Sequence, residues 1–286
     1  MAPVTSTDHD VPRPLLDRLE HYYDSVPRAA ARVEEFGPLS LFVREGAGFP
    51  YYARPALAMN GTHGEVDVAD VNRIRARQRE LGVPESFEWV AETTPALRAA
   101  VTASGLDIHE HPLMVLDSDA EVPKLPILDE GASVRLLDTD DDALPSALAL
   151  LWVAFGQPDT AVGAAGVAEL DRAVHDRAGD GTIALTADRI RAGLTRVAAA
   201  VQDGRALSSG SHQPVGDVSE IVAVGTLPAA RRRGLGLAVT AALVADARSL
   251  DVKTFFLSAS DDAVARIYAR LGFRRVGTAL IAEPAE

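Results

Sequence analysis

The chain has 286 residues, of which 47% are hydrophobic and 24% charged, and its formal net charge is -13. This balance is typical of a globular chain that buries a core, and the length favours two domains of ordinary size. The acidic charge disfavours nucleic acid as a partner, and the lack of cysteine excludes disulfides, zinc thiolate sites and cysteine nucleophiles.

The first twenty residues lack the basic start and apolar core of a secretion signal, and no later stretch reaches the roughly 18 apolar residues of a membrane span. We therefore expect a cytoplasmic chain with no membrane partner, in which only the first dozen residues are unfolded. Asn60, Gly61 and Thr62 match a glycosylation acceptor, but without a secretion route they predict only a glycine turn.

The end of the first half alternates strand, helix and strand. Residues 87–90 have strand composition, and 93–105 predict a helix with a threonine cap, a proline in its first turn and a glycine at its end. A strand follows at 106–116. His109 and His111 would project to one face of this strand, but two ligands without a third are usually surface histidines, so no metal site is predicted.

The middle of the chain is rich in proline and acidic residues, and it separates two regions that each have their own alternation of elements. We predict two domains, residues 1–120 and 132–286, joined by a linker at 121–131. The order helix, glycine, strand occurs in both halves when Gly105 is laid on Gly272. This echo is weak evidence of a duplication, because the same order is common.

The second half begins with a strand within 133–138 and a helix within 141–156, and the number of helices before the next strand stays open. Three strands then follow in succession, which predicts an antiparallel meander with a turn between each pair. The strands are 194–201, 205–211 and 217–226, and the turns are Asp203-Gly204 and Gln213-Pro214.

The hydrophobic period then changes from two to about 3.6, which predicts a helix from residue 234 onward. Its buried face would contain Leu235, Val239, Leu243 and Leu250. A strand at 254–260 precedes another helix, capped by Asp261 or Asp262 and closed by Gly272. The apolar face of that helix is Val264, Ile267, Tyr268 and Leu271, and a final strand covers 273–283.

A basic, glycine-containing turn joins the third meander strand to the helix. In Arg231-x-x-Gly234-x-Gly236 the glycines allow a ligand to approach the backbone, and the helix dipole favours negative charge there, so we predict a pyrophosphate site. The alternative is a basic turn whose glycines serve packing alone. A P-loop is excluded because no Gly-Lys-Ser/Thr is present, and a dinucleotide fold fits poorly because position 239 is Val.

Two sequence stretches carry a resemblance to a known family. The stretches "SEIVAVGTLPAARRRGLGLAVTAAL" and "FFLSASDDAVARIYARLGFRRVG" resemble the GNAT acetyltransferase superfamily, with its Arg/Gln-x-x-Gly-x-Gly motif and a later Tyr-x-x-x-Gly-Phe. The close match covers 217–278, whereas 133–216 agrees only in the order of elements. The resemblance implies an α/β fold with a mixed, mostly antiparallel twisted sheet flanked by helices. The two-part layout is similar to tandem GNAT proteins, with a degenerate N-terminal half.

The resemblance also implies an activity, which is transfer of an acetyl group from acetyl-CoA to a primary amine by direct attack in a ternary complex. Main-chain N–H groups of the turn would hold the pyrophosphate, and the strand before it would pair with the pantetheine amides as an added strand. The N–H of Val224 would stabilise the charged thioester oxygen. The residues assigned to the coenzyme are Val224, Gly225, Thr226, Arg231, Arg232, Arg233, Gly234, Leu235 and Gly236.

Two side chains are implied as catalytic. Tyr268 would donate a proton or hydrogen bond to the departing thiolate, its alternative role being a core tyrosine. Glu220 would be the general base, placed by strand alternation on the same face as Val222, Val224 and Thr226. A solvated strand acid is the alternative for Glu220, with His212 or a water molecule as the base. Asp261 stands where many relatives have Asn, which leaves its contact with the coenzyme open.

A second function class stays open, namely a non-catalytic acyl-CoA-binding or scaffolding protein. The first half lacks both the glycine turn and the phenol, so we predict that it packs against the second half and shapes the amine cleft without binding acetyl-CoA productively. The sequence leaves open whether the acceptor is a small-molecule or a protein amine, and whether the chain forms a homodimer.

Overall fold

The computed structural model describes residues 12–57, 66–121, 128–157 and 160–285. The Asn60-Gly61-Thr62 turn, nearly all of the first dozen residues and the centre of the predicted linker lie outside these ranges. In the part of the chain that is described, no helix is long and apolar enough to cross a membrane.

The chain divides into two compact units. The first unit contains Met1–Val43, Tyr51–His109 and Val276–Glu286, and the second contains Arg44–Pro50 and Glu110–Arg275. The strand that ends the predicted first domain and the strand that ends the chain are each divided between the two units. The predicted boundaries at 120 and 132 therefore differ from this division.

The first unit is built around a short sheet. Its elements are α1 (Arg13–Arg28), β1 (Ala31–Phe36), β2 (Leu39–Arg44), β3 (Ala53–Pro55), α2 (Val68–Leu81), β4 (Phe87–Val90), α3 (Pro95–Ala103) and the start of β5 (Leu106–Asp117). β2 pairs antiparallel with β3, and β3 pairs parallel with β4 at Ala53 and Phe87. The strand, helix and strand predicted at the end of the first half are therefore confirmed.

The second unit follows the predicted order of elements. These are β6 (Ser133–Leu137), α4 (Leu144–Phe155), α5 (Val167–Asp176), α6 (Thr182–Arg191), β7 (Arg196–Gln202), β8 (Arg205–Val215), β9 (Val218–Thr226), α7 (Leu235–Ser249), β10 (Thr254–Ser258), α8 (Asp262–Ala269) and β11 (Arg274–Pro284). The strand order is β6-β7-β8-β9-β10-β5. The pairs are antiparallel except β9 with β10, which confirms the mixed, mostly antiparallel sheet.

One of the two predicted meander turns is wrong. Asp203 and Gly204 form a turn with φ values of 50° and 75°, as a tight hairpin requires. Gln213 and Pro214 instead lie within β8, and the turn follows the end of that strand. β7 pairs with β8 only as far as His212. A proline just beyond that point removes no hydrogen bond with β7, so the strand tolerates it.

The helix predictions hold except at one position. Leu235, Val239 and Leu243 of α7 are buried as expected, but Leu250 is 45% exposed because the helix ends at Ser249. Leu250 continues the hydrophobic period in the sequence, but it lies past the helix end and so is not on the buried face of the helix. The period therefore overestimates the buried face by one residue.

Each unit contains a strand segment that the sequence had assigned to the other domain. Residues 113–117 of β5 pair antiparallel with 254–258 of β10 inside the second unit. Residues 279–282 of β11 pair antiparallel with 87–90 of β4 inside the first unit. Helix, glycine and strand patterns do not specify which neighbour a strand pairs with, so the sequence did not reveal this exchange.

Candidate active site

β9 and β10 pair only at their first positions, and we call the unpaired region beyond these positions the gap. The two parallel strands pair at only three positions, the last of which joins Glu220 to Phe256. β9 remains paired with β8 as far as Thr226. Within the described chain, residues 221–226 of β9 therefore have one unpaired edge, where another extended chain can add hydrogen bonds.

The direction of the main chain along this edge follows from one hydrogen bond. The N–H of Leu227 donates to the carbonyl of Leu207 in the β8 segment at 2.9 Å. Successive residues of a strand turn their N–H and C=O groups to opposite edges. Gly225 therefore faces β8, while Thr226 and Val224 direct their main-chain groups to the open edge. This is the orientation required of Val224 by its predicted oxyanion role.

A β-bulge interrupts β9 in the middle of this region. Ala223 has φ of 53°, and the pairing with β8 shifts there. Val222 lies opposite Ser211 and Gly225 lies opposite Ser209, so three steps along β9 match two along β8. The extra residue inverts the alternation of side chains beyond it.

The two faces of the sheet are covered by different helices. The Ser209 hydroxyl donates to the carbonyl of Ala147 in α4 at 2.6 Å, which defines the α4 face. On the other side, a Cβ built on Gly210 would lie 2.9 Å from Val224 and 3.3 Å from Leu243 of α7, which defines the α7 face. Each face of β9 therefore meets a separate set of residues.

The bulge overturns one prediction about the general base. Glu220 and Val222 lie on the α4 face, whereas Val224 and Thr226 lie on the α7 face. The prediction of a single face for these four residues is wrong, because simple alternation does not anticipate a bulge. Glu220 occupies the last paired position before the gap and is half-buried. It is therefore at the apex of the gap, with its side chain on the α4 face.

The turn before α7 presents a set of main-chain donors. Arg232 has φ of 66° and Gly234 has φ of 78°, and this alternation directs successive N–H groups to one side. The N–H groups of 232–237 have no hydrogen-bond acceptor among the described residues. The next one, that of Ala238, donates to Gly234 at 3.0 Å. An anion such as a diphosphate fits this turn.

Gly236 makes a close contact with the preceding strand, which is the packing role that the alternative interpretation gave to the glycines. A Cβ on Gly236 would lie 3.3 Å from the Thr226 hydroxyl oxygen. This is tight for a side chain, so the glycine lets the start of α7 contact the end of β9. The open strand edge and the donor turn are thereby held next to each other.

Two of the three arginines bind the segment that follows α4. The Arg231 guanidinium donates to the carbonyls of Ala154 at 3.1 Å and Ala161 at 3.2 Å, and that of Arg232 donates to Thr160 at 2.7 Å. Carbonyls at a helix C-terminus accept cationic donors well. These side chains therefore fasten the segment after α4 to the turn.

The remaining arginine is also held by protein groups. Arg233 donates to Asp129 at 2.6 Å and to the Gln202 side chain at 2.8 Å. The N–H of Arg231 donates to the carbonyl of Pro228 at 3.3 Å, so it is outside the donor set. The contribution of the arginine run is thus to shape the turn, and an assignment of Arg231 to the coenzyme stays a prediction.

Tyr268 lies on α8, the helix that follows β10. Its ring packs edge-on against Phe273 with 6.1 Å between the centroids, and its hydroxyl has no hydrogen-bond partner in the described ranges. Burial raises its pKa above the usual value of 10. The phenol therefore stays protonated and suits a hydrogen-bond donor better than a proton donor. Asp261 caps α8 by accepting from the N–H of Val264 at 2.8 Å.

His212 is fully buried on the α7 face. Its Nε2 lies 2.9 Å from Asp246 Oδ2, and its Nδ1 lies 2.8 Å from Ser219 Oγ. Burial lowers the pKa of His212, against the opposing effect of Asp246. Because both ring nitrogens are bonded and no substrate can reach them, the alternative of His212 as the base is wrong.

Comparisons with known proteins agree with this geometry. Residues 207–280 match the model of the FR47-like protein family. A GCN5-related N-acetyltransferase from Kribbella flavida is 21% identical with TM-score 0.67, and the match covers 95% of this chain and 96% of that one. A GCN5-related N-acetyltransferase from Sphaerobacter thermophilus is 17% identical with TM-score 0.55, covering 87% and 82%. This chain has the GNAT fold.

A tandem GNAT protein from the clavulanic acid biosynthesis pathway is also similar in structure, with 18% identity, TM-score 0.52 and coverage of 87% of this chain and 79% of that one. A comparison with curated proteins finds no match to this sequence. The predicted resemblance to the GNAT superfamily is confirmed by the family model and by these structures together.

The first unit contains a parallel strand pair and a buried ion pair beside it. β3 and β4 are parallel and pair at a single position. The buried guanidinium of Arg54 donates to the Glu20 carbonyl at 3.1 Å and pairs with the Glu20 carboxylate, which also accepts from Thr93. A buried ion pair is strongly destabilising to break. That the first half does not bind acetyl-CoA productively stays a prediction.

The prediction that the chain has no metal site stays a prediction. Among the residues that the structure describes, no group of three or more His, Cys, Asp or Glu is placed to hold a metal ion. His109 Nε2 lies 3.7 Å from Glu283 Oε1, which is a surface contact.

Proposed function

We propose that the second unit transfers an acyl group, acetyl in the first place, from a CoA thioester to an amine. The observation that carries this proposal is the edge of β9 that is unpaired within the described residues, beside a turn whose six N–H groups have no acceptor there. A single ligand that extends from the turn into the gap would bind both to the N–H donors and to the open edge of β9. Pantetheine diphosphate has this combination of an anion and extended amides.

The chain's own residues divide the binding work. The donor turn would hold the diphosphate through main-chain N–H groups and the dipole of α7. Val224 and Thr226 would bond the pantetheine amides along the open edge, as an added strand does. This arrangement brings the thioester toward the apex of the gap, where Glu220 lies.

The transfer step has three chemical needs, and each has a residue. The N–H of Val224 would stabilise the negative charge that develops on the thioester oxygen. Glu220 would accept the amine proton, directly or through water, as the nitrogen–carbon bond forms. Tyr268 would donate a hydrogen bond to the sulfur as the carbon–sulfur bond breaks. The bulge at Ala223 suits this division, because it separates the base on the α4 face from the coenzyme residues on the α7 face.

The second candidate function is a CoA-thioester-binding protein without turnover. The raised pKa of Tyr268 favours it, because that phenol is a weaker acid than a free one. A panel of small and peptide amines with acetyl-CoA distinguishes the two. Release of free CoA thiol with any amine establishes the enzyme, whereas thermal stabilisation by acetyl-CoA without thiol release establishes the binding protein.

Gly234→Ala is expected to weaken acetyl-CoA binding by about 10- to 100-fold, measured by titration calorimetry. A side chain disfavours the left-handed backbone at φ 78° by about 1–2 kcal/mol, and a relaxed turn loses charged hydrogen bonds of about 1.5–3 kcal/mol each. Gly216→Ala is the matched control, since Gly216 has φ of 58° with nothing within 4 Å of a Cβ. Equal affinities in the two variants would remove the turn from the coenzyme site.

Tyr268→Phe is expected to lower kcat by about 100-fold while leaving KM for acetyl-CoA within a few-fold of the wild type. The substitution keeps the ring packing against Phe273 and removes only the hydroxyl. Tyr22→Phe, at a buried tyrosine of α1, is the control and should leave kcat unchanged. An unaltered kcat in the Tyr268 variant would exclude the phenol from the transfer step.

A further inference from the structure

A network of polar side chains, buried except at Arg196, crosses the second unit on the α7 face. It runs from Arg196 of β7 to Asp246 of α7, then to His212 of β8 and Ser219 of β9. The Arg196 guanidinium donates to Asp246 at 3.1 Å and 3.3 Å, and the two remaining links are 2.9 Å and 2.8 Å. Ser219 and His212 are fully buried. Four elements are therefore joined through side chains alone.

The hydrogen-bond directions in this network follow from the charges. Burial opposes ionisation of Asp246, but hydrogen bonds from Arg196 and His212 outweigh it and hold the pKa of Asp246 below its usual value. An ionised Asp246 only accepts, so Nε2 of a neutral His212 carries the proton that it donates. Nδ1 then accepts from the Ser219 hydroxyl, and every partner is satisfied.

This serine, histidine and aspartate set is not a hydrolytic triad. In a triad the serine bonds Nε2 and the aspartate bonds Nδ1, whereas here the two nitrogens are exchanged. A nucleophile also needs access to substrate, and Ser219 has no exposed surface. The set therefore acts on the position of the main chain.

The positions of Ser219 and Asp246 show that this hydrogen-bond network connects β9 near the gap to α7. Ser219 pairs with Phe255 of β10, one position before the gap opens, and Glu220 is the next residue. Asp246 belongs to α7, the helix that begins at the donor turn. Because the links from Asp246 to His212 and from His212 to Ser219 are buried, movement of β9 relative to α7 would leave unpaired buried groups.

We propose that Ser219, His212 and Asp246 are positioning residues that fix the apex of the gap, and with it Glu220, relative to the helix that carries the coenzyme turn. The importance of this for turnover rests on the proposed function. The arrangement also keeps the base rigid on one face while the coenzyme residues occupy the other. A shift of about 1 Å in a reacting group is enough to lower a rate by about 100-fold.

The test compares Ser219→Ala with Ser146→Ala in the full chain. Ser146 is a matched control, because it is a buried serine that donates to the carbonyl of Ala143 and accepts from the N–H of Ala206 outside this network. Amide hydrogen exchange of 218–226 and 254–258 reports the position and order of the gap without requiring turnover. Steady-state kinetics with a responsive amine then reports kcat, KM for acetyl-CoA and the pH profile.

We expect faster exchange at 218–220 and 254–256 in Ser219→Ala but not in Ser146→Ala. We also expect kcat to fall by about 10-fold or more with KM for acetyl-CoA within threefold, and the acid limb of the pH profile to shift. Unchanged exchange in Ser219→Ala, or the same exchange and kcat changes in both variants, would overturn the proposal. If the wild type binds acetyl-CoA but transfers an acyl group to no amine, the proposed function is overturned instead. The amide hydrogen exchange of the two variants would then decide the positioning role.

Discussion

A fragment of residues 132–286 is expected to show no cooperative unfolding transition and no acetyl-CoA binding, although it contains every assigned site residue. It lacks the five residues of β5 that pair with β10. Met114 and Leu116 are buried in the core of the second unit, and two such side chains contribute about 3–6 kcal/mol. With ladder hydrogen bonds of about 1 kcal/mol each, the loss is comparable to a whole domain stability of about 5–15 kcal/mol.

The matched fragment is residues 110–275, which restores those five residues and ends where the second unit ends. It lacks only the short segment 44–50, whose Phe49 stacks on Trp152 with 5.8 Å between the ring centroids. We expect this fragment to unfold cooperatively in a thermal melt followed by circular dichroism. Equal stability of the two fragments would show that the β5 segment is dispensable.

Glu220→Gln is expected to lower kcat by about 100- to 10,000-fold with acetyl-CoA affinity nearly unchanged, because an amide does not accept the amine proton. The shape of the side chain is preserved at the apex of the gap, so the fold should not change. Steady-state release of the CoA thiol measures kcat, and calorimetry measures the affinity for acetyl-CoA. A kcat near that of the wild type would leave water as the proton acceptor.

The control for this variant is Glu88→Gln, a half-buried glutamate on a strand of the first unit. Burial raises the pKa of Glu88 to about 7, against the opposing charge of Arg54. Its unfolded pKa is near 4.5, so its contribution to stability is present at low pH and is lost as the pH rises toward 7. We therefore expect Glu88→Gln to melt no lower than the wild type at pH 8 and to retain full kcat.

The elements nearest the site were the most predictable from sequence. Period and turn chemistry identified β7, β8, β9 and α7, because those signals are local to each segment. The position of the turn before α7 was also predicted, because the glycine pair lies between a strand pattern and a helix pattern in the sequence. Its coenzyme role stays a proposal.

What the sequence did not reveal depends on neighbours distant in the chain. The bulge at Ala223 has no composition signal, because alanine rarely adopts positive φ, and it inverted the predicted face of Val224. The burial of His212 depends on Asp246, 34 residues later. The use of the arginines to hold the segment after α4 is likewise a tertiary property, since a run of charge alone predicts only a solvated or ligand-binding surface.

The reciprocal strand exchange has a consequence for the order in which the protein folds during its synthesis. Residues 279–282 are synthesised after the whole second unit, yet they pair with β4 in the first unit. The first unit must therefore wait, with an open edge at β4, until residues 279–282 have been made. Both units are therefore expected to reach their native state together, instead of one after the other.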